Sequence, residues 1–239
     1  GTQTALTPVQ KAGSWAISPL RNFLSDVTSL GRTRNKIEKL QAENDKLRLS
    51  LQNRKNADAL LKQLKGVLDL AGTAGYKVVG AKVISQGSTT SFTQSITIDV
   101  GSNSGVRSNM TVLSGYGLVG VVKYVYPNSA LVQLASDPAF RIGVRIAGSQ
   151  QIGILSGQGT RRGVLQLLDN RSSIKKGDAL LARGSQGGRP FVPGAPIGTV
   201  TNVDNSPGAV TQTADVKFYT NFSTLGVVAV VVSGEGADP

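Results

Sequence analysis

Between Ile37 and Leu51 the chain reads IEKLQAENDKLRLSL, and Ile37, Leu40, Leu47 and Leu51 fall at alternating three- and four-residue steps around Asn44. The spacing gives a, d, a, d, a of a heptad repeat, an apolar seam that a lone helix cannot bury. Asn44 takes an inner a position, where a buried amide is costly unless a second asparagine faces it, so the pattern favours a parallel, in-register pair. Glu43 at g and Arg48 at the following e stand where opposite charges meet across such a dimer. An amphipathic helix lying on its own domain would show the same spacing; self-pairing is the preferred reading because the rest of the chain does not look helical. Upstream, Val9, Trp15, Ile17, Leu20, Phe23, Leu24, Val27 and Leu30 are apolar, with Pro8 and Pro19 interrupting, and helical spacing begins at Pro19. Downstream, Arg54 and Asp58 break the seam, and Ala57, Leu60, Leu61, Leu64 and Leu68 restart it in another phase. Such a shift locally unwinds a coiled coil, or moves the helix to a new partner such as the domain that follows. Ala71-Gly-Thr-Ala-Gly75 then predicts the helix end.

From Tyr76 the periodicity changes. Ile96, Ile98 and Val100 alternate with Ser95, Thr97 and Asp99, and Ile142, Val144 and Ile146 alternate with Arg141, Gly143 and Arg145. Period two with one polar face predicts half-buried antiparallel strands. Similar short runs recur to Val232 between Gly, Pro, Asn and Asp, with no helical stretch to serve as a crossover. The region also looks duplicated: Gly105–Val112 is echoed by Ile174–Leu180, and Gly117–Val122 by Pro196–Val200. The expected fold is mainly β with an N-terminal α-helix: a dimerising coiled-coil helix over 1–73, then small antiparallel β-barrel domains over 74–160 and 161–239. Whether each barrel is continuous in sequence, or lends a strand to the other, the pattern leaves open.

The 239 residues include no cysteine and no histidine, which removes disulfides, thiol nucleophiles, imidazole bases and the usual zinc ligands together. The net charge of +12 is diffuse: residues 1–75 carry 12 basic and 6 acidic side chains, residues 76–239 carry 14 and 8. A nucleic-acid binder more often concentrates its charge; the diffuse surplus suggests acidic neighbours without naming one, and is compatible with an anionic cell surface or membrane face. The one methionine is Met110, and the expectation is that a segment upstream of Gly1, including any membrane anchor, has been removed. Gly115-Tyr-Gly-Leu-Val-Gly120 matches a dinucleotide fingerprint in letters, yet a strand-like Val-Val-Lys-Tyr-Val follows where a helix is required, so a β-turn is expected. Ser173 and Lys176 satisfy S-x-x-K without the companion motifs of penicillin-recognising enzymes. Acids after Leu70 are scattered singles apart from Glu235 and Asp238. No catalytic residue, cofactor site or metal site is expected, and hence no enzyme.

Several segments in order resemble the rod-shape-determining MreC family. They are Glu43-Asn-Asp-Lys-Leu47, Asp99-Val-Gly-Ser-Asn-Ser-Gly-Val106, Met110–Val112, Gly117–Val122, Ser136-Asp-Pro-Ala-Phe-Arg-Ile-Gly-Val144, Gly177-Asp178 and Val192-Pro-Gly-Ala-Pro-Ile-Gly-Thr-Val200. Asn109 and Ala195 depart from the expected residue types. The resemblance implies a bitopic membrane protein with a coiled coil and two β-barrels on the extracytoplasmic side. It implies a non-catalytic scaffold of the cell-elongation complex, self-associating as a homodimer or higher assembly. The implied partners are a class B penicillin-binding transpeptidase, MreD, the glycosyltransferase RodA and the MreB filament, with no nucleic acid. Candidate partner positions are Tyr116, Tyr124, Tyr126 and Phe140 on the first barrel and Phe191 and Val192 on a loop of the second. Two rival classes share parts of this pattern: a basic small-barrel nucleic-acid binder, which needs aromatic platforms although aromatics are only 5% of the chain, and a periplasmic adaptor, which needs a helical hairpin.

Overall fold

The computed structural model describes residues 18–87, 94–169, 174–185 and 190–233, with the side chains of 18–31 and of Ser233 excepted. The expectations placed on Val9, Trp15, Ser173, Glu235 and Asp238 lie outside the described residues, as do the upstream side chains Leu20 to Leu30. One helix, α1, runs Ser18–Ala74. Pro19 sits in its first turn, where a missing N–H leaves no helical bond unmade. The helix stops where the glycines cluster: Gly75 adopts φ 74°, and the Tyr76 N–H donates back to the Ala71 carbonyl at 2.9 Å. Among the described residues α1 is the sole α-helix, so the hairpin required of an adaptor is not found there. No helix among them is long and apolar enough to cross a membrane.

Residues 18–57 and residues 58–233 belong to separate compact units. The first is helix only, and the second holds the foot of α1 and every strand. The strands are β1 Lys77–Gln86, β2 Ser95–Ile98, β3 Thr111–Leu113, β4 Leu118–Val125, β5 Ala130–Leu134 and β6 Arg141–Ile146. They continue with β7 Ile152–Gly157, β8 Arg162–Leu167, β9 Ala179–Ala182, β10 Pro196–Asp204, β11 Thr213–Phe218 and β12 Val227–Ser233. All pair antiparallel and close into two barrels, in cyclic order β1-β12-β3-β4-β5-β2 and β10-β11-β8-β7-β6-β9. The alternation seen in the sequence becomes inside and outside: Ile96 and Ile98 fill the first barrel, Ile142, Val144 and Ile146 the second, while Arg141 and Gly143 face water. Burying each such isoleucine contributes about 1.5–3 kcal/mol. Closure leaves neither sheet with a free edge along its full length.

Strand pairing divides the chain differently from the expected boundary at residue 160. β6 and β7 belong to the second barrel, and β12, the apolar run beginning at Val227, returns to complete the first between β1 and β3. Matching the two cyclic orders puts β3, β4 and β5 over β9, β10 and β11, β1 and β2 over β7 and β8, and β12 over β6. The barrels are circular permutations of one plan, and the second is inserted between β5 and β12 of the first. The echoed segments make the same bonds. Asn109 N and Val122 N bond to Val122 O and Met110 O, just as Gly177 N and Val200 N bond to Val200 O and Asp178 O.

The foot of α1 packs on the first barrel. Val67 and Ala71 are buried and Leu60 and Leu64 half-buried, whereas Leu61 and Leu68, expected on the same face, are exposed. Gly66 and Gly115 let the helix and the β3–β4 turn meet backbone to backbone, since a Cβ on Gly66 would lie 3.5 Å from the Gly115 Cα. Gln63 interrupts the apolar stripe for a reason: its Oε1 accepts from Gly226 N and Val227 N at 2.9 Å each, and its Nε2 donates to Thr224 O at 3.1 Å. Replacing Gln63 by alanine leaves both amides without that acceptor. A loss of about 1–3 kcal/mol in urea unfolding is expected, with faster amide exchange at Gly226 and Val227. Unchanged stability and exchange would remove Gln63 from the joint.

Candidate interaction surfaces

Among the described residues the heptad seam is exposed. Ile37, Leu40, Leu47 and Leu51 are between 49 and 60% exposed, and Asn44, Glu43 and Arg48 stand exposed among them. Nothing in residues 18–57 is strand or loop against which this face could fold. Arg34 and Glu38 form an i,i+4 ion pair at 3.5 Å, an exposed contact that adds little to the helix.

On the first barrel three tyrosines project into solvent. Tyr116, at the tip of the β3–β4 turn, is 71% exposed, Tyr124 63% and Tyr126 57%. The register slips between Val122 and Tyr124, a bulge at which the outward course of β4 begins, and Tyr124 then pairs with Leu131. The fingerprint-like glycines lie in the turn and strand expected of them, with Gly117 and Ser114 closing the turn.

The other three expected surface residues are core, and the structure corrects that expectation. Phe140 is buried, its ring edge-on to Phe191 with centroids 5.5 Å apart, and Phe191 and Val192 are buried with it. The loop that carries Phe191 and Val192 is tied to the first barrel. Thr111 Oγ1 donates to Pro190 O at 2.9 Å and accepts from Val192 N at 3.1 Å, so the 190–194 loop is held against β3. Ser114 and Thr220 share a buried hydroxyl bond of 2.9 Å, and Gln94 Nε2 donates to Gly159 O at 2.6 Å. Tyr76 donates its hydroxyl to Pro193 O at 2.6 Å, and burial raises its pKa above the ordinary phenol value. In the crossing between barrels, buried Asp137 accepts from Ala139 N at 2.9 Å and from Gln133 Nε2 at 3.2 Å. Sequence reasoning missed this polar seam; its only trace was a run of Ser, Thr and Gln at strand ends. Chemistry does not converge anywhere comparable: among the described residues no three His, Cys, Asp or Glu side chains come together. Lys176 lies exposed in the turn before β9.

A helix leading into two interlocked six-stranded barrels has a counterpart among known proteins. The family model described as rod shape-determining protein MreC, barrel core, matches residues 83–232. The chain belongs to the MreC family. The cell shape-determining protein MreC of Listeria monocytogenes is 32% identical over 176 residues, covering 71% of this chain and 59% of that protein. MreC of Streptococcus pneumoniae is 30% identical over 230 residues, covering 93% of this chain and 82% of that one. The chain thus spans little more than half of the listerial relative and most of the pneumococcal one. A solved MreC structure superposes with a TM-score of 0.66 at 30% identity, covering 73% of this chain and 98% of the other. MreC in the complex between penicillin-binding protein PBP2 and MreC from Helicobacter pylori shares the fold, with a TM-score of 0.52 at 18% identity over 66% of this chain and 100% of that one.

Proposed function

We propose that this chain is the extracytoplasmic part of a non-catalytic, membrane-anchored scaffold of the rod complex. Through residues 37–51 it pairs with a second copy, and its barrels then hold a class B penicillin-binding transpeptidase where wall is being made. The observation that carries this reading is the uncovered apolar seam on a helix that runs directly into two closed barrels. A seam with Asn44 at its centre asks for an identical partner rather than for its own domain. The Helicobacter complex, though only a fold-level relative, supports the transpeptidase as a partner. Connection to MreD, RodA and the MreB filament belongs to the same reading.

The partner face suggested by exposure is the set Tyr116, Tyr124 and Tyr126, since large aromatics standing in water are the usual anchors of an interface. Binding to the immobilised extracytoplasmic domain of a class B transpeptidase tests this. The chain is expected to bind, and Tyr124→Ala with Tyr126→Ala to weaken it at least tenfold, about 1.4 kcal/mol. Absence of binding at high micromolar concentration by the paired chain would contradict the scaffold reading; binding unaffected by the tyrosine changes would move the site elsewhere.

A further inference from the structure

The second barrel carries a cationic row on its outer side. On β6 the outward positions are Arg141, Gly143 and Arg145. The next strand round the barrel is β9, paired Val144 to Ala182 and Arg145 to Leu181, so Arg183 falls opposite Gly143; its N–H bonds to Gly143 O at 3.0 Å. A Cβ on Gly143 would lie 3.9 Å from that of Arg183, so the arginine stands on the same outer side, in the space the glycine leaves. Arg183 is then diagonal to both Arg141 and Arg145, at about 7–8 Å between backbones. Arg141 is partly used: its Nη1 donates to Pro138 O at 2.6 Å and to Phe140 O at 2.9 Å. Among the described residues, Arg145, although half-buried, and Arg183 make no hydrogen bond or ion pair through their guanidinium groups. No acid occupies an outward position of β6, β7 or β9. On the flank away from β9, Ile152 pairs with Arg145 and Ile154 with Gly143, and Ile154 is 41% exposed.

We propose that this face binds a linear phosphodiester polymer with short alkyl spacers, its phosphates along the arginine row and its spacers against Ile152 and Ile154. The guanidinium fork matches phosphate oxygens two at a time and is weakly hydrated, so a partly covered arginine with no partner is suited to receive an anion. A row of cations, rather than a broad basic plateau, fits a chain better than a planar lipid surface. The paired strands offer an extended peptide no free edge here, which disfavours an acidic segment added as a strand. The proposal goes beyond the scaffold reading and does not depend on it.

The test uses the whole chain with poly(glycerol phosphate), polyglutamate and phosphatidylglycerol vesicles as probes, titrated across salt. Arg145→Gln with Arg183→Gln is compared with Lys62→Gln with Lys65→Gln, which removes the same charge from exposed helix positions. The first pair is expected to weaken poly(glycerol phosphate) binding at least tenfold. It should also flatten the slope of log affinity against log salt by about 1.4, the loss of two phosphate contacts to a single chain. The lysine pair should leave both within twofold and a few tenths. Three results would overturn the proposal: no binding by the unaltered chain, equal loss from both pairs, or tighter binding to polyglutamate or to the vesicles. Equal loss would mean diffuse attraction, and the other probes would name an acidic protein or a lipid surface as the occupant.

Discussion

Gly120→Ala is expected to prevent the first barrel from closing, while Gly105→Ala in the same barrel costs little. At Gly120 a Cβ would fall 1.8 Å from Gln133 O and 3.1 Å from Leu134 Cα, on the strand paired with it. Both obstacles are backbone, so no rotamer change relieves them; β4 and β5 must part and their ladder must break. A loss of more than about 4 kcal/mol follows, within the range left to severe core disruption. Gly105 is held at φ 83°, yet a Cβ there meets nothing within 4 Å. Its substitution costs only the left-handed backbone, about 1–2 kcal/mol. Chemical denaturation of both variants checks the contrast. Equal, small losses would mean that β4 and β5 do not approach each other as described.

Ile37→Lys together with Leu47→Lys is expected to abolish pairing without disturbing the barrels. The two positions are about half exposed in one chain, so lysine there is harmless to the monomer. In a paired seam each would place like charges at the centre of an apolar contact, with desolvation that the short heptad run cannot offset. Dissociation should become at least a hundredfold easier by sedimentation across a dilution series, with unchanged barrel unfolding. If variant and native chain sediment alike, the seam does not hold copies together.

Most of this architecture was legible because period and punctuation were local. Alternation of Ile142, Val144 and Ile146 with polar neighbours gave strands, and the glycines at 72 and 75 gave the helix end. What could not be read was anything set by closure. The echo between 105–112 and 174–180 was visible, but the permutation that assigns β12 to the first barrel and β6 to the second is a property of pairing, not of either strand. The same blindness placed Phe140, Phe191 and Val192 on a surface: each is a loop residue by pattern, and contacts between segments far apart in sequence bury it. Leu61 and Leu68 erred oppositely, as apolar residues on the helix face turned from the barrel. Gln63 carried a usable signal, a polar residue among Leu60, Leu64 and Val67.

Pairing in register is tested most directly by single cysteines, because the chain has none of its own. In a parallel dimer, facing d positions bring Cα atoms to within the 4.4–6.8 Å that a disulfide spans, while f positions point apart. Leu40→Cys, at d, is therefore expected to oxidise to a covalent dimer, and Ala42→Cys, at f, to remain a single chain under the same conditions. Single chains from both, or cross-linking as complete at Ala42 as at Leu40, would contradict the paired helix on which the scaffold reading stands.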